Sequence, residues 1–183
     1  MTGNDINPAD VISFWREVGP KGWFEKDAAV DEDIRTRFLR LHETAAAGGL
    51  KSWEQNAEGA LALLILLDQF PRNMFRGEAR AYATDPLARA IAASAIVHGF
   101  DAQVMPDMRG FFYLPFEHSE DMADQERSVA LCKASGDAEA LKWAEVHADI
   151  IRRFGRFPHR NPVLGRDTTP EEQAFLDSAG FAG

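Results

Sequence analysis

The residues best able to do chemistry lie in three short segments. In Leu114-Pro-Phe-Glu-His-Ser-Glu-Asp-Met-Ala-Asp-Gln-Glu-Arg-Ser128, one histidine, five carboxylates and one arginine crowd around what reads as a helix start. With the helix beginning near Ser119, the residues Glu117, His118, Asp121 and Gln125 lie toward one side of its first turns, because residues three or four apart are neighbours on a helix. An imidazole among carboxylates can hold a divalent metal or form a general acid/base pair. The plain alternative makes Ser119 an N-cap and lets Glu120 and Asp121 complement the helix dipole. In Asp68-Gln-Phe-Pro-Arg-Asn73, a carboxylate follows the most apolar run of the chain. Burying that charge is costly unless a cation or hydrogen-bond donors meet it. Arg72 is the local candidate, either as the ion-pair partner of Asp68 or, with Asn73, as one wall of a pocket. The third segment, Arg152-Arg-Phe-Gly-Arg-Phe-Pro-His-Arg-Asn161, is basic and aromatic. Arg152 and Arg153 are explained by the end of a helix, whereas His159, Arg160 and Asn161 lie beyond it and suit a carboxylate or phosphate. Salt bridging from this patch to the acidic stretch Glu117 to Glu126 is the competing account. The three segments are expected to form one site.

Composition narrows the partners. A formal charge of −9 disfavours nucleic acid and anionic membrane surfaces. The longest aliphatic stretch, Ala60 to Leu67, falls far short of the roughly 18 residues of a membrane span. The opening MTGNDINPADVISFW has neither the basic stretch nor the apolar run of an export signal, so no cleaved leader is expected. The single Cys132 excludes an intrachain disulfide and suits a reducing compartment, which points to the cytoplasm. With 183 residues, 45% of them apolar, the chain is expected to form a single domain over residues 1–183.

The elements that must position these segments are helical. Asn7-Pro8 caps a helix running to about Val18, stopped by Gly19-Pro20. A second runs from about Asp31 to Ala47. Ser52 with Gln55 reads as a capping box for a third, which carries Leu61 to Leu67 and must close before Pro71. Residues 72–83 read as irregular, and Thr84-Asp85-Pro86 caps a helix to about His98. A short element follows Met105-Pro106. Helices over about Ser119 to Ala134 and Asp137 to Phe154, split by Ser135-Gly136, form a helical hairpin, and Thr169-Pro-Glu-Glu172 is a capping box for a final helix. No window alternates with a period of two residues, so the expected class is all-α. Successive antiparallel hairpins favour a tetratricopeptide-like superhelix over an up-and-down bundle.

Motifs with fixed chemistry are absent. There is no Glu-x-x-His pair, no His-Glu-x-x-His, no phosphate-binding glycine loop and no Gly-x-Ser-x-Gly. His147, within a helix, reads as a satisfied helix histidine, and Cys132 as a small core residue. The phrases Leu66-Leu-Asp-Gln-Phe-Pro-Arg-Asn-Met-Phe-Arg-Gly77, Pro115-Phe-Glu-His-Ser-Glu-Asp-Met-Ala-Asp-Gln-Glu-Arg-Ser128 and Pro158-His-Arg-Asn161 are similar to those of an uncharacterised bacterial family. That resemblance runs over nearly the whole chain. It implies a tetratricopeptide-like helical fold and carries no assigned reaction.

Three functions fit this sequence. One is a helical module binding a small anionic ligand or an acidic peptide, with Asp68, Arg72, Asn73, His118, Asp121, Gln125, His159, Arg160 and Asn161 around the ligand. Another is a metal-assisted or acid/base hydrolase with His118, Asp121 and Glu117 as catalytic candidates. Asp68, His118 and Asp121 would be its metal ligands, a set suiting Mg²⁺ or Mn²⁺ better than Zn²⁺. The third is a structural protein whose polar clusters brace helix ends.

Overall fold

Side-chain caps start most of the helices. Asn7 accepts from the Asp10 backbone N–H while the Asp10 carboxylate accepts from the Asn7 N–H, opening α1 (Pro8–Phe24). Asp27 opens α2 (Ala28–Ala46), Asn56 opens α3 (Ala57–Leu64), and α5 spans Asp85–Val97. Between α3 and α5 the chain makes a π turn over Ile65–Gln69 and a short α4 (Phe70–Met74). The helix α6 covers Leu114–Glu117. Asp121 opens α7 (Met122–Ser135), Asp137 opens α8 (Ala138–Phe154), and the Thr169 to Glu172 capping box opens α9 (Pro170–Asp177). The computed structural model describes residues 6–178, which leaves the opening residues 1–5 outside the described residues. Among the described residues the class is all-α, with no strand and no helix long and apolar enough to cross a membrane.

The chain divides into two compact units, Met1–Pro115 and Phe116–Gly183. In the first, α3 is buried nearly all round and packs against α1 and α5, while α4 and the π turn pack against α2. An aromatic cluster fills this core. Phe38 and Phe70 lie 4.9 Å apart, and the Trp15 ring meets the Phe70 ring at 5.5 Å and the Phe111 ring at 6.1 Å. Each such side chain contributes about 1.5–3 kcal/mol by leaving water. In the second unit, α7 and α8 form the expected hairpin through Gly136 at φ 78°. Ile150, Ile151 and Phe157 form its apolar centre, with Val146, Phe154 and Phe175 packed around them.

Four helix boundaries differ from their sequence signals. Gly19, at φ 74°, breaks the helical path as expected, but Pro20 begins a further turn that carries α1 on to Phe24. Ser52 is not a cap. Residues Lys51–Gln55 form a 3₁₀ turn, and the Asn56 side chain takes the Gly59 N–H at 2.9 Å. A Cβ on Gly59 would sit 2.1 Å from the Trp53 carbonyl oxygen, so the 3₁₀ turn seats directly on α3 and requires glycine there. The chain does not leave the helical path before Pro71, because the π turn carries it through. α7 starts after Asp121 rather than Ser119, since the Asp121 carboxylate takes the Ala123 N–H at 2.8 Å.

Candidate functional site

In the first unit the segment from Asp68 to Asn73 is organised by the π turn. A proline has no N–H to give back along the helix, and the wider turn redirects neighbouring carbonyls. Three side chains serve them. His42 Nδ1 lies 2.9 Å from the Leu66 carbonyl, Thr84 Oγ1 donates to that of Leu67 at 2.6 Å, and Arg72 Nη1 donates to that of Asp68 at 2.5 Å. Arg72 also makes a bidentate pair with Asp85, 3.0 Å at each oxygen, and reaches Asp68 Oδ1 at 3.3 Å. Asp68, only 1% exposed, accepts from Gln69 Nε2 at 2.6 Å. Burial works against the charge on Arg72, but the two carboxylates outweigh it and raise its pKa. Asn73 donates to Asp31 at 2.8 Å, beside a bidentate Arg76–Asp31 pair at 2.8 and 2.9 Å. Asp68, Arg72 and Asn73 are thus engaged inside their own unit, which is how their polarity coexists with burial.

In the second unit the other two segments come together around Phe157. Glu117, 4% exposed at the end of α6, places Oε1 3.0 Å from Nδ1 of His147, itself 6% exposed. The same Nδ1 lies 2.8 Å from the Trp143 carbonyl. Both neighbours are acceptors, so Nδ1 carries the hydrogen and shares it. The half-buried His118 ring stands edge-on to His147 with centroids 6.3 Å apart. The Phe157 ring then contacts His147 at 5.6 Å, His159 at 5.7 Å and the Arg160 guanidinium at 4.5 Å. Two imidazoles, His147 and His159, and the Arg160 guanidinium thus contact the buried Phe157 ring, while His118 stands against His147.

Ion pairs and amides fix this arrangement. Gln125 donates to the Glu117 and Ser119 carbonyls at 2.7 and 2.6 Å, holding the turn that presents His118. Glu120 accepts from the Phe157 backbone N–H at 2.8 Å and pairs with Arg166 at 2.7 and 3.0 Å. Burial alone would raise the Glu120 pKa, but Arg166 and the Phe157 N–H outweigh it and lower it. Asn161 reaches Glu172 at 3.2 Å, and Arg156 grips Glu172 at 2.6 and 2.9 Å. Neither pair joins the basic patch to the acidic stretch, since Arg156 of the patch meets Glu172 and Glu120 of the stretch is met by Arg166, which lies beyond the patch. Asp121 is exposed and spent on its cap. Gln125 Oε1, Asn161 Oδ1 and Arg166 Nε are buried without a hydrogen-bond partner among the described residues. No group of three or more His, Cys, Asp or Glu among the described residues is placed to hold a metal ion.

His147 is the satisfied helix histidine the sequence suggested, bonded to the Trp143 carbonyl one turn back, but its contacts with Glu117 and Phe157 were not foreseen. The Glu117 contact carries no local signal, because that carboxylate lies on another helix far along the chain. Cys132 is buried as expected, and desolvation together with the Glu117 charge pushes its thiol up to about 11.

Fold and clusters define an all-helical protein whose three polar segments are built into its two units rather than scattered over its surface. The chain belongs to the family described as bacterial protein of unknown function (DUF924), whose model matches residues 11–180. It is similar to a solved structure of a protein of unknown function from Agrobacterium tumefaciens, at 52% identity and a TM-score of 0.90, covering 93% of this chain and 97% of that one. No curated protein is significantly similar to it.

Proposed function

We propose that the second unit binds a small anionic ligand, or the acidic end of a peptide, through His118, His159 and Arg160, on a helical scaffold of the tetratricopeptide type. The observation that carries this is the gathering of His147, His159 and Arg160 around Phe157, with His118 against His147. In a chain of net charge −9, a guanidinium among imidazole N–H donors is a local attraction for anions. Arg72 and Asn73 drop out of the donor set, because Asp85, Asp68 and Asp31 already take their hydrogens. The superhelical scaffold rests on the α7–α8 hairpin and on the packing of α3 against α1. The acidic composition and single cysteine support a cytoplasmic protein without nucleic-acid partners.

The Glu117–His147 contact favours a second reading, acid/base catalysis, in which a carboxylate-held imidazole moves a proton. Its base would be His147 rather than His118. Thermal unfolding against sulfate, phosphate and small carboxylates tests the binding proposal. An anion at about 100 times its Kd adds about 2.7 kcal/mol of stability. That stabilisation should vanish in Arg160→Ala and persist in Asp121→Asn, which keeps the helix cap. Absence of any anion-dependent shift overturns the proposal.

A further inference from the structure

One open cleft of the first unit is lined by apolar and charged side chains together and takes no part in the clusters above. It holds about 410 Å³ and lies where α1 and the 3₁₀ stretch Pro106–Phe112 pack on α3. Ile12 and Arg16 are one turn apart on α1, and Glu58 and Leu61 one turn apart on α3, so each helix brings one apolar and one charged residue to it. Val104 and Met108 complete the apolar wall. Leu61 and Met108 are buried, whereas Met105, also lining the cleft, is 50% exposed, an apolar side chain left facing water. Ligand clefts commonly run from about 300 to 1,000 Å³ and combine an apolar lining with a few polar groups. Neither charge is firmly held by the fold. Arg16 lies 3.8 Å from Asp107, beyond hydrogen-bonding distance, and both side chains are close to half exposed. Glu58 is exposed in the first turn of α3, where it complements the helix dipole, and among the described residues it has no ion-pair partner.

We propose that this cleft binds an apolar α-amino acid as its zwitterion. The Arg16 guanidinium takes the α-carboxylate, the Glu58 carboxylate takes the α-ammonium, and the side chain lies on Ile12, Leu61, Val104 and Met108. A guanidinium and a carboxylate pair best through two short parallel bonds, so the ligand gives Arg16 a better partner than the distant Asp107. Charge selects the class of ligand. With Glu58 and Asp107 both beside the cleft, an acid without an amine meets more negative charge than positive, and an amine without an acid leaves Arg16 unused. No bond of the ligand is made or broken. The site stands apart from that of the second unit and needs none of its residues.

The probe is L-leucine, with binding followed through the methionine methyl resonances of the intact chain. Met105 and Met108 line the cleft, Met74 is buried elsewhere in the same unit, and Met122 belongs to the second unit. The expected result is a saturable shift of the Met105 and Met108 signals, with those of Met74 and Met122 unmoved. L-Alanine, which lacks the larger side chain, should bind more weakly by about tenfold or more. Isocaproate and isoamylamine, which each keep only one of the two charged groups of leucine, should lose about as much. Arg16→Gln and Glu58→Gln, both at exposed positions that the fold does not depend on, should each weaken L-leucine by about tenfold. Absence of the Met105 and Met108 shift with L-leucine, L-methionine and L-phenylalanine alike overturns the proposal. So does binding that both variants leave unchanged, or an acid or amine that binds as tightly as the amino acid. A shift confined to Met122 places the ligand in the second unit and overturns it as well.

Discussion

Glu172 is buried and still charged, because Arg156 clasps both its oxygens and the Thr169 N–H adds a third hydrogen bond. The Arg156 bonds lead in holding its pKa down to about 2, against burial. A carboxylate whose pKa is lower folded than unfolded stabilises the fold above the unfolded value and loses that contribution as the pH falls toward the folded one. Urea midpoints should therefore fall as pH drops from about 4.5 to about 2, and Glu172→Gln should show less of that fall. At pH 7 the same variant should be less stable by about 1–3 kcal/mol. His42 works at a higher pH. Burial leads in depressing its pKa, so the unfolded chain takes the proton first, and its contribution is present above about 6.5 and lost as pH falls below it. His42→Gln, which still offers a donor to the Leu66 carbonyl, should remove the part of the stability loss between pH 7 and 5 that belongs to this residue. Arg72→Ala should be the most damaging of these changes, since it leaves Asp68 and Asp85 buried beside each other without their cation. About 3–5 kcal/mol is expected, read as a lower urea midpoint at unchanged slope.

Among the elements, the π turn is the one whose parts depend most on one another. Thr84 precedes α5, but its hydroxyl serves the Leu67 carbonyl instead of capping its own helix. Thr84→Val should cost about 1–3 kcal/mol, and Thr84→Ser should recover most of it. Pro71→Ala restores an N–H, yet His42 and Thr84 already serve the Leu66 and Leu67 carbonyls. Its stability should therefore change by less than about 1 kcal/mol, instead of showing the roughly 3 kcal/mol relief expected when a helix-breaking proline is removed. These dependences also mark what the sequence could reveal. Caps at Asn7, Asp137 and Thr169 were legible because cap and helix are adjacent in the chain and the chemistry is local. Ser52 and Ser119 misled because a second capping residue, Asn56 or Asp121, follows closely and wins once the preceding turn is seated. The passage through Pro71 was hidden because its donors, His42 and Thr84, come from other elements.

At the scale of the whole molecule, the all-α class was legible from periodicity alone, whereas the candidate site was legible only in part. Segments around His118 and His159 were marked by their composition, and the structure gathers them in one unit. His147 was not marked, because a histidine inside an amphipathic helix looks the same whether or not a distant glutamate meets it. The length of the chain leads to the expectation of one domain, and Met1–Pro115 and Phe116–Gly183 supply the means of testing it. A single cooperative domain should show one calorimetric transition whose van't Hoff and calorimetric enthalpies agree. The lone cysteine makes a sharper form of that test. Cys132 is 2% exposed on α7, and its thiol is far from ionised at neutral pH, so a disulfide reagent can label it only after the second unit has opened. Three of the four tryptophans, Trp15, Trp23 and Trp53, lie in the first unit. Indole emission thus follows mainly one unit and thiol labelling the other, in the unmodified chain. Labelling that keeps pace with the loss of native emission would mean the chain opens as a whole, and labelling that runs ahead of it would mean the α7–α8 hairpin opens by itself.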